Sequence, residues 1–251
     1  MPSVSAADLE RLAARSWRGL EEECFGDWLL RAGGGFTGRA NSALVVGDPP
    51  TDLPAAVDAV TEWYARRGLP PMAQVPLPGA EHCDAAFAAA GWVTVEDVLV
   101  LTADLGALPA PAVQVQLAPA PDDAWLAGYR YRGTPLPPVA RKVLVNAEQP
   151  VFAAVRLEPA PAPLAAVARG AVVDDWLIVT AVTVDDRYRR RGLATAVMGR
   201  LGAWGREHGA RSCVLQVVES NASALSLYGR MGFTEHHRYH YRLGPEAPRR
   251  V

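Results

Sequence analysis

One segment of the chain joins a strand-like run to a basic turn and then to an amphipathic helix. The helix begins beside Gly192, and three arginines precede it. A helix N-terminus presents unpaired backbone N–H groups and the positive end of the helix dipole, and glycine allows close approach, so this arrangement suits a pyrophosphate. Nearby arginines add charge-assisted hydrogen bonds. The candidate residues are Arg189, Arg190, Arg191, Gly192, Leu193, Ala194 and Thr195. The alternative is a solvated basic turn before an ordinary helix.

A second polar segment lies between Glu219 and Phe233 and has the pattern of a short helix. Asn221 stands where the helix begins and suits an N-cap. Tyr228 follows seven residues later, which is two helical turns along the same face.

Together the two segments resemble the GNAT N-acetyltransferase superfamily. Arg189, Gly192 and Ala194 fill its acyl-CoA-binding pattern, Gln/Arg-x-x-Gly-x-Gly/Ala. The second segment is similar to its Asn-x-x-Ala-x-x-Leu-Tyr-x-x-x-Gly-Phe helix, here Asn221, Ala224, Leu227, Tyr228, Gly232 and Phe233. The resemblance covers residues 113–243. It implies an α/β fold with a mixed sheet (α+β), acetyl-CoA as the acyl donor and no metal.

The resemblance also implies roles for individual residues. The strand ending at Val184 is expected to splay from its neighbour, so that main-chain groups of the run Val182, Thr183 and Val184 bind the cofactor and polarise the thioester. Asn221 and Ala224 are expected to contact the cofactor, although Asn221 as a pure helix cap is equally consistent. Tyr228 is expected to protonate the leaving thiolate, and its alternative role is a core aromatic.

The general base is less well defined by this comparison. In the related ribosomal-protein alanine acetyltransferases, a glutamate stands twelve residues before the tyrosine, but here Gln216 occupies that position and cannot act as a base. Glu219 is the first candidate, and Asp174 or Asp175 acting through water is the alternative. The alternative for Glu219 is that it ends a strand at the surface and has no catalytic role.

Three other motifs have simpler explanations. The glycines of Gly33–Gly38 spell GxGxxG, yet the following residues predict a strand where a dinucleotide site needs a helix, so we expect a hairpin turn. His236, His237 and His240 lie in a predicted strand where His237 faces away from the other two, which argues against a metal site. The run Arg187–Arg191 is one short basic stretch in a net acidic chain and predicts no nucleic-acid surface.

Composition limits the cellular setting. The chain has 25 basic and 27 acidic residues and a formal charge of −2, so no global field favours nucleic acid or an anionic membrane. Three scattered cysteines form neither a disulfide framework nor a zinc motif, which favours a reducing cytoplasm. The longest apolar run, Trp176–Val184, is too short to span a bilayer.

Length and composition shifts predict two domains in the 251 residues. An Ala/Pro-rich stretch at 105–121 resembles a linker, so the boundary is placed near Gly106, giving domains 1–106 and 107–251. Periodicity predicts helices at 5–17, 53–67, 80–90, 122–130, 138–145, 192–207 and 221–230. It predicts strands at 28–31, 40–46, 92–101, 113–117, 151–157, 164–173, 176–184, 213–218 and 234–243.

A shift of 141 positions aligns the two halves and predicts two tandem GNAT-like domains. At the equivalent sites the first half has Asp48 for Arg189, Thr51 for Gly192, Ala80 for Asn221 and Phe87 for Tyr228. An acidic residue repels pyrophosphate and Phe delivers no proton, so the first half is interpreted as degenerate. Its polar residues Asn41 and Ser42 are candidate substrate contacts, and a purely structural role is the alternative.

The leading prediction is an acetyl-CoA-dependent N-acetyltransferase of the two-part bacterial type. A primary amine would attack the thioester directly, because none of the three cysteines falls in the recognised segments. The acceptor is left open between a small amine or amino acid, an aminoglycoside-like molecule and a peptide N-terminus, and the chain is expected to be a monomer or homodimer. The rival is a catalytically silent acyl-CoA-binding or regulatory module, favoured by Gln216 and opposed by Tyr228.

Overall fold

A computed structural model describes residues 4–131, 133–159 and 162–245 of the chain. Its contacts divide the chain into two units. The first unit contains the residues up to Val100 together with those from His236 onward, and the second is Leu101–Glu235.

The described residues form alternating helices and strands. The helices are α1 (Ala6–Ser16), α2 (Leu53–Ala65), α3 (Glu81–Ala89), α4 (Asp123–Gly128), α5 (Ala140–Val145), α6 (Leu193–Glu207) and α7 (Ala222–Arg230). The strands are β1 (Glu21–Phe25), β2 (Trp28–Ala32), β3 (Ala43–Leu44), β4 (Met72–Leu77), β5 (Val93–Asp104), β6 (Gln116–Ala118), β7 (Pro150–Val155), β8 (Ala166–Val173), β9 (Trp176–Val184), β10 (Ser212–Val218) and β11 (Thr234–Leu243).

The first unit arranges its strands in the order β1-β2-β3-β4-β11. All neighbours are antiparallel except β3 and β4, which are parallel. Side-chain caps fix the starts of α1 and α2: Ser5 Oγ accepts from the N–H of Asp8, and Asp52 Oδ1 accepts from that of Ala55. Its core contains the stacked rings of Trp28 and Phe87, whose centroids are 5.8 Å apart.

The second unit has the strand order β10-β9-β8-β7-β6. β10 and β9 are parallel, and the other neighbours are antiparallel. α6 packs across β7, β8 and β9. A side chain at Gly199 would place its Cβ 2.1 Å from the carbonyl oxygen of Pro109, so this close approach requires glycine.

The two halves end equivalent helices in the same way. The N–H of Leu69 donates to the carbonyl of Tyr64 at 3.1 Å after α2, and the N–H of Ala210 donates to that of Gly205 at 2.9 Å after α6. Both pairs are related by the offset of 141, and the glycines before Leu69 and Ala210 have φ values of 62° and 90°. The repeat in the sequence therefore has a counterpart in backbone geometry.

The mixed α/β fold predicted from the sequence is confirmed, while several strands differ from the prediction. Periodicity missed β1, whose acidic sequence forms an exposed edge, and β4, whose apolar run contains Pro76. The predicted strand at 40–46 begins inside a 3-10 helix, Arg39–Asn41, and only Ala43–Leu44 of it form a strand, β3. The strand expected at 113–117 lies at β6 instead.

The domain boundary near Gly106 stays a prediction. The contact-based units differ from it at the C-terminus, because β11 pairs antiparallel with β4, with His240 opposite Val75. Most of β11 thus belongs to the first unit, although it comes after the second unit in the sequence.

Candidate active site

The second unit contains an open cleft of about 850 Å³ that gathers the two polar segments. The end of β9, the turn after it, the start of α6 and one face of α7 form its walls. Its lining residues are Val182, Thr183, Val184, Arg189, Arg190, Gly192, Leu193, Ala194, Thr195, Asn221, Ser223, Ala224, Ser226, Leu227, Tyr228 and Arg230. A volume of this size accommodates a substantial small-molecule ligand.

The end of β9 separates from β10 where it enters the cleft. The parallel pairing of these strands runs from Trp176 opposite Ser212 to Val179 opposite Leu215, whereas β9 continues to Val184. Ala181 adopts a φ of 57° beside a register shift in the β8–β9 ladder, so the strand is irregular at this point. Main-chain groups beyond Val179 on this side are therefore not used by the β10 ladder.

The first turn of α6 presents its N–H groups to the same cleft. Its N-cap, Gly192, has a φ of 74° and makes no side-chain capping hydrogen bond. A Cβ added at Gly192 would meet no described atom within 4 Å, because the residue faces open space. The N–H groups at the first positions of a helix lack intrahelical partners, so Leu193, Ala194 and Thr195 can donate to an anion.

The three predicted arginines are placed differently. Arg189 lines the cleft and forms an exposed ion pair with Asp186 at 2.6 Å, and Arg190 also lines it. Arg191 is not among the lining residues, and its guanidinium lies 5.4 Å from the ring centroid of Tyr188. This cation–π contact holds the Arg191 guanidinium against the Tyr188 ring.

Tyr188 and Glu158 anchor this turn, and the sequence analysis did not single them out. Tyr188 is 7% exposed, and its hydroxyl donates to the Glu158 carboxylate. The hydrogen bond to Glu158, followed by burial, raises the pKa of Tyr188. The only sequence feature that could have indicated these two residues was the aromatic Tyr188 inside a basic turn.

α7 positions polar groups along the opposite wall. Asn221 caps the helix, because its Oδ1 accepts from the N–H of Ala224 at 3.2 Å and from Ser223 Oγ at 3.0 Å. The capping role proposed for Asn221 is therefore present, and its side chain also lines the cleft. Ser226 and Arg230, one turn apart, share a hydrogen bond of 2.6 Å on the same wall.

Tyr228 lies where α7 meets the core. It is 7% exposed, and its ring packs edge-on against Phe233 with centroids 5.7 Å apart. Burial, with a smaller contribution from the nearby Cys213, raises the pKa of Tyr228 to about 12. The phenol is therefore protonated at neutral pH and available as a hydrogen-bond donor to the cleft.

None of the described residues that line the cleft carries a carboxylate. Glu219 lies in the exposed turn between β10 and α7, outside the lining. Asp174 and Asp175 occupy the turn before β9, at the opposite end of that strand from Val184. Val182, the first residue of β9 in the lining, is seven positions after Asp175, about 23 Å at 3.3 Å per residue, so neither carboxylate lies beside the cleft.

Asn41 and Ser42 lie in the first unit, and both side chains are engaged internally. Asn41 Oδ1 accepts from the N–H groups of Gly33 and Gly35, at 2.8 and 2.9 Å. Ser42 Oγ accepts from the buried guanidinium of Arg31 at 3.0 Å. Both residues are at least 94% buried and serve here to hold the glycine turn and Arg31.

The described starts of α2 and α3 in the first unit lack the anion-binding features of the cleft. The helix equivalent to α6 is α2, whose N-terminus is already occupied by the Asp52 carboxylate. Asp48 is exposed nearby and adds a second negative charge. At the start of α3, Ala80 provides no side-chain cap, in contrast to Asn221. A pyrophosphate would meet negative charge in place of free N–H groups.

Two of the three histidines of β11 contact different carboxylates. His237 Nε2 lies 3.0 Å from Glu10 Oε1, and His240 Nε2 lies 2.6 Å from Asp84 Oδ1. His236 and His237 contact each other through their Nδ1 atoms at 2.8 Å, so the expectation that they point apart is wrong for this pair. Among the described residues, no group of three His, Cys, Asp or Glu side chains is arranged to hold a metal ion.

The glycine-rich segment Gly33–Gly38 forms turns and bends that precede the short 3-10 helix, without the long helix of a dinucleotide-binding motif.

Across the described residues, no helix combines the length and apolar character needed to cross a membrane.

The sequence matches the family model described as probable histone acetyltransferase Rv0428c, C-terminal, over residues 5–242. The chain belongs to this family. The family, the curated relatives and the structural neighbours together place it in the GNAT superfamily, and it is an acyltransferase.

Two curated relatives cover nearly the whole chain. One is an uncharacterized N-acetyltransferase, YobR of Bacillus subtilis (strain 168), which is 27% identical over 94% of this chain and 97% of the relative. The other is the probable histone acetyltransferase Rv0428c of Mycobacterium tuberculosis (strain ATCC 25618 / H37Rv), which is 31% identical over 93% of this chain and 72% of the relative.

Solved structures share the fold at low sequence identity. A GCN5-related N-acetyltransferase from Kribbella flavida has a TM-score of 0.70 and 18% identity, with 96% of each chain covered. A tandem GNAT protein from the clavulanic acid biosynthesis pathway has a TM-score of 0.59 and 17% identity, covering 83% of this chain and 76% of its own. These neighbours support the GNAT-like fold of the chain.

Proposed function

We propose that this acyltransferase transfers the acetyl group of acetyl-CoA to a primary amine in a ternary complex. One observation carries the proposal: the two polar segments, separate in sequence, line a single cleft. The first turn of α6 offers N–H donors for the pyrophosphate, and the separated end of β9 offers main-chain groups for the pantetheine amides and the thioester carbonyl.

In the reaction, the lone pair of the neutral amine attacks the acetyl carbonyl carbon and forms a tetrahedral intermediate. The C–S bond then breaks, and the thiolate of CoA leaves. Backbone N–H groups at the end of β9 stabilise the negative charge on the carbonyl oxygen. The amine nitrogen loses its proton, and the departing sulfur gains one, so the products are an N-acetylamine and free CoA.

Tyr228 is the proposed donor to the departing sulfur. With a pKa of about 12, its phenol is a weaker acid than an ordinary alkyl thiol, whose pKa is about 8.5. Full proton transfer to a free thiolate would be unfavourable. The phenol therefore contributes mainly through a hydrogen bond that strengthens as charge develops on sulfur in the transition state.

Glu219 is the proposed base, acting through water. It is exposed to solvent and lies two residues before Asn221, which lines the cleft. We expect Glu219→Gln to lower kcat most at low pH, where fewer amine molecules are neutral. An unchanged pH profile of kcat would remove Glu219 from the mechanism.

The acceptor classes kept open are a small amine or amino acid, an aminoglycoside-like molecule and a peptide N-terminus. The name of the relative, probable histone acetyltransferase Rv0428c, adds a histone-like protein as a fourth candidate. We further propose a cytoplasmic enzyme, monomeric or homodimeric, that needs no metal. The three cysteines are thiols, and two of them are buried.

The deciding experiment follows thiol release from acetyl-CoA with a panel of amines, and identifies the acetylated product by mass spectrometry. Product formation that depends on both substrates supports the proposal. Saturable acetyl-CoA binding with no acetylated product from any amine would favour the silent acyl-CoA-binding module instead. Acetyl label recovered on a cysteine peptide would contradict direct attack.

A further inference from the structure

The basic turn, residues 185–192, is tied to a loop that lies far from it in the sequence. Tyr188, in the middle of the turn, donates its phenolic hydrogen to the carboxylate of Glu158, which stands 30 positions earlier, shortly after β7. Neither of these two residues lines the cleft. Any effect of the pair on the acyl donor would therefore act through the turn.

The Tyr188 ring divides the arginines of the turn into two pairs. The guanidinium groups of Arg187 and Arg191 lie 5.1 and 5.4 Å from the centroid of the ring. Arg189 and Arg190 line the cleft instead. The carboxylate that accepts from the phenol polarises the ring and so strengthens both cation–π contacts. Two arginines are thus held on the ring, and two are left to meet an anion.

The backbone of the turn depends on contacts that fix its shape. Arg190 has a φ of 61° and Gly192 a φ of 74°, both in the left-handed region. A residue with a Cβ adopts this conformation at a cost, and the conformation persists where neighbouring contacts determine it. The start of the turn is fixed where the N–H of Asp185 donates to the carbonyl of Ala165 at 3.0 Å. Tyr188 fixes the part of the turn next to Arg190.

A turn that is not held in this shape would bind a pyrophosphate less tightly, even with every arginine present. The turn determines where Arg189 and Arg190 lie relative to the free N–H groups that begin α6. The apparent Kd of a ligand rises in inverse proportion to the fraction of the protein that has the binding-competent form. Contacts that populate this form therefore strengthen binding without touching the ligand.

We propose that the Tyr188–Glu158 hydrogen bond holds the basic turn in its pyrophosphate-binding form, so that these two positioning residues set the affinity for the nucleotide part of CoA. The inference rests on the proposed function, which assigns the pyrophosphate of acetyl-CoA to this turn. The pantetheine part and the chemical step at the end of β9 do not depend on the hydrogen bond.

The charge of Glu158 separates this role from a purely electrostatic one. Glu158 is exposed, and an exposed carboxylate beside a basic turn opposes the binding of an anion. Removal of its charge alone would therefore tighten the binding of CoA. Loss of the hydrogen bond has the opposite sign, and it dominates because a charge-assisted hydrogen bond is stronger than a screened interaction between exposed charges at longer range.

The test is calorimetric titration of CoA into the full chain and its variants. Tyr188→Phe keeps the ring and Glu158→Ala changes an exposed residue, and each should raise the Kd by at least about threefold. The double variant should lose no more than the weaker-binding single variant, because both changes remove one interaction. Glu158→Gln keeps an acceptor at this position and should bind CoA more tightly than Glu158→Ala.

Three calorimetric results would overturn the inference. The first is a Kd for Tyr188→Phe within about threefold of the parent value. The second is tighter binding of CoA by Glu158→Ala, which would leave only the electrostatic role. The third is a pair of losses that multiply in the double variant, which would show that the two residues act independently.

Steady-state thiol release separates positioning of the turn from general damage. With acetyl-CoA, Tyr188→Phe should lower kcat/KM by at least about threefold, while kcat at saturation stays within about twofold of the parent value. With S-acetylpantetheine, which ends before the pyrophosphate, kcat/KM should be unchanged. Equal losses with the two donors would contradict the inference.

The matched control is Tyr64→Phe, which removes a buried hydroxyl that donates to the carbonyl of Arg31 at 3.0 Å in the first unit. It should lower the midpoint of thermal unfolding and leave the Kd for CoA unchanged. A rise in Kd equal to that of Tyr188→Phe would mean that general destabilisation explains both.

The proposed function can fail separately, which would be visible as CoA binding without acetylated product from any amine. The calorimetric comparison of the parent with Tyr188→Phe then still decides the role of the hydrogen bond. A parent protein that binds no CoA would overturn both the proposed function and this inference.

Discussion

Phe87 and Tyr228 occupy the same position in the two halves of the chain. The N–H of Trp92 donates to the carbonyl of Phe87 at 3.0 Å, and the N–H of Phe233 donates to the carbonyl of Tyr228 at 3.1 Å. Both rings are buried at the end of the equivalent helices α3 and α7. The two side chains differ by one hydroxyl group, and only the Tyr228 side chain can donate a hydrogen bond.

Tyr228→Phe is expected to reduce kcat by about 10- to 100-fold, which corresponds to the loss of one hydrogen bond to a charged group. The ring that packs against Phe233 is retained, so the midpoint of thermal unfolding and the affinity for acetyl-CoA should change little. Because the loss falls on the chemical step, kcat and kcat/KM should fall together in steady-state kinetics. A folded variant with kcat within about threefold of the parent would exclude Tyr228 as the donor.

Gly192→Asp should weaken acetyl-CoA binding by at least about tenfold, because it adds negative charge at the N-terminus of α6. The matched control is Gly192→Asn, which has nearly the same size and tolerates the positive φ of 74° at this position. Calorimetry should show a much smaller loss for the asparagine variant. Equal losses for both variants would mean that backbone strain, and not phosphate binding, explains the effect.

One acetyl-CoA should bind per chain, in the second unit. The equivalent helix start in the first unit is occupied by the Asp52 side chain, which accepts from the N–H of Ala55 at 2.9 Å. Calorimetric titration should give a stoichiometry of one, and Gly192→Asp should weaken that single site. Two equivalent sites would show that the first half retains a functional cofactor site.

An ion cluster in the first unit should make stability depend on pH in the acid range. Arg242 donates to both oxygens of Asp84, at 2.7 and 2.8 Å, and His240 lies 2.6 Å from Oδ1. The hydrogen bond from Arg242, assisted by His240, lowers the pKa of Asp84. A carboxyl whose pKa is depressed by folding stabilises above its unfolded pKa, and this contribution is lost as pH falls through the folded value.

The corresponding prediction is that Asp84→Asn lowers the free energy of unfolding at pH 7 by about 1.5–3 kcal/mol, the range for a charge-assisted hydrogen bond. Urea denaturation of parent and variant should begin to converge as the pH falls below about 4, where the carboxyl of the unfolded chain takes up a proton, and the convergence should be complete below the lowered pKa of the folded carboxyl. A difference between the two proteins that stays constant from pH 7 to pH 3 would show that Asp84 does not act through its charge.

Patterns of neighbouring residues were sufficient to predict the helices that line the cleft. The start of α6 at Gly192 and the capping of α7 by Asn221 depend on residues close in sequence, so helix-end rules identified both. Strands without an alternating apolar face were not identified. β1 is polar because it lies at a sheet edge, and β4 contains a proline.

The sequence by itself determined the superfamily, the mixed α/β class, the repeat at an offset of 141 and the two polar segments, since each is written in the order and spacing of nearby residues. Only the tertiary structure brought those segments into one cleft, kept Glu219 out of its lining and buried Asn41. It also paired β11 with β4, which stand far apart in the chain. Contacts between distant residues depend on strand pairing and packing, and no local spacing encodes them.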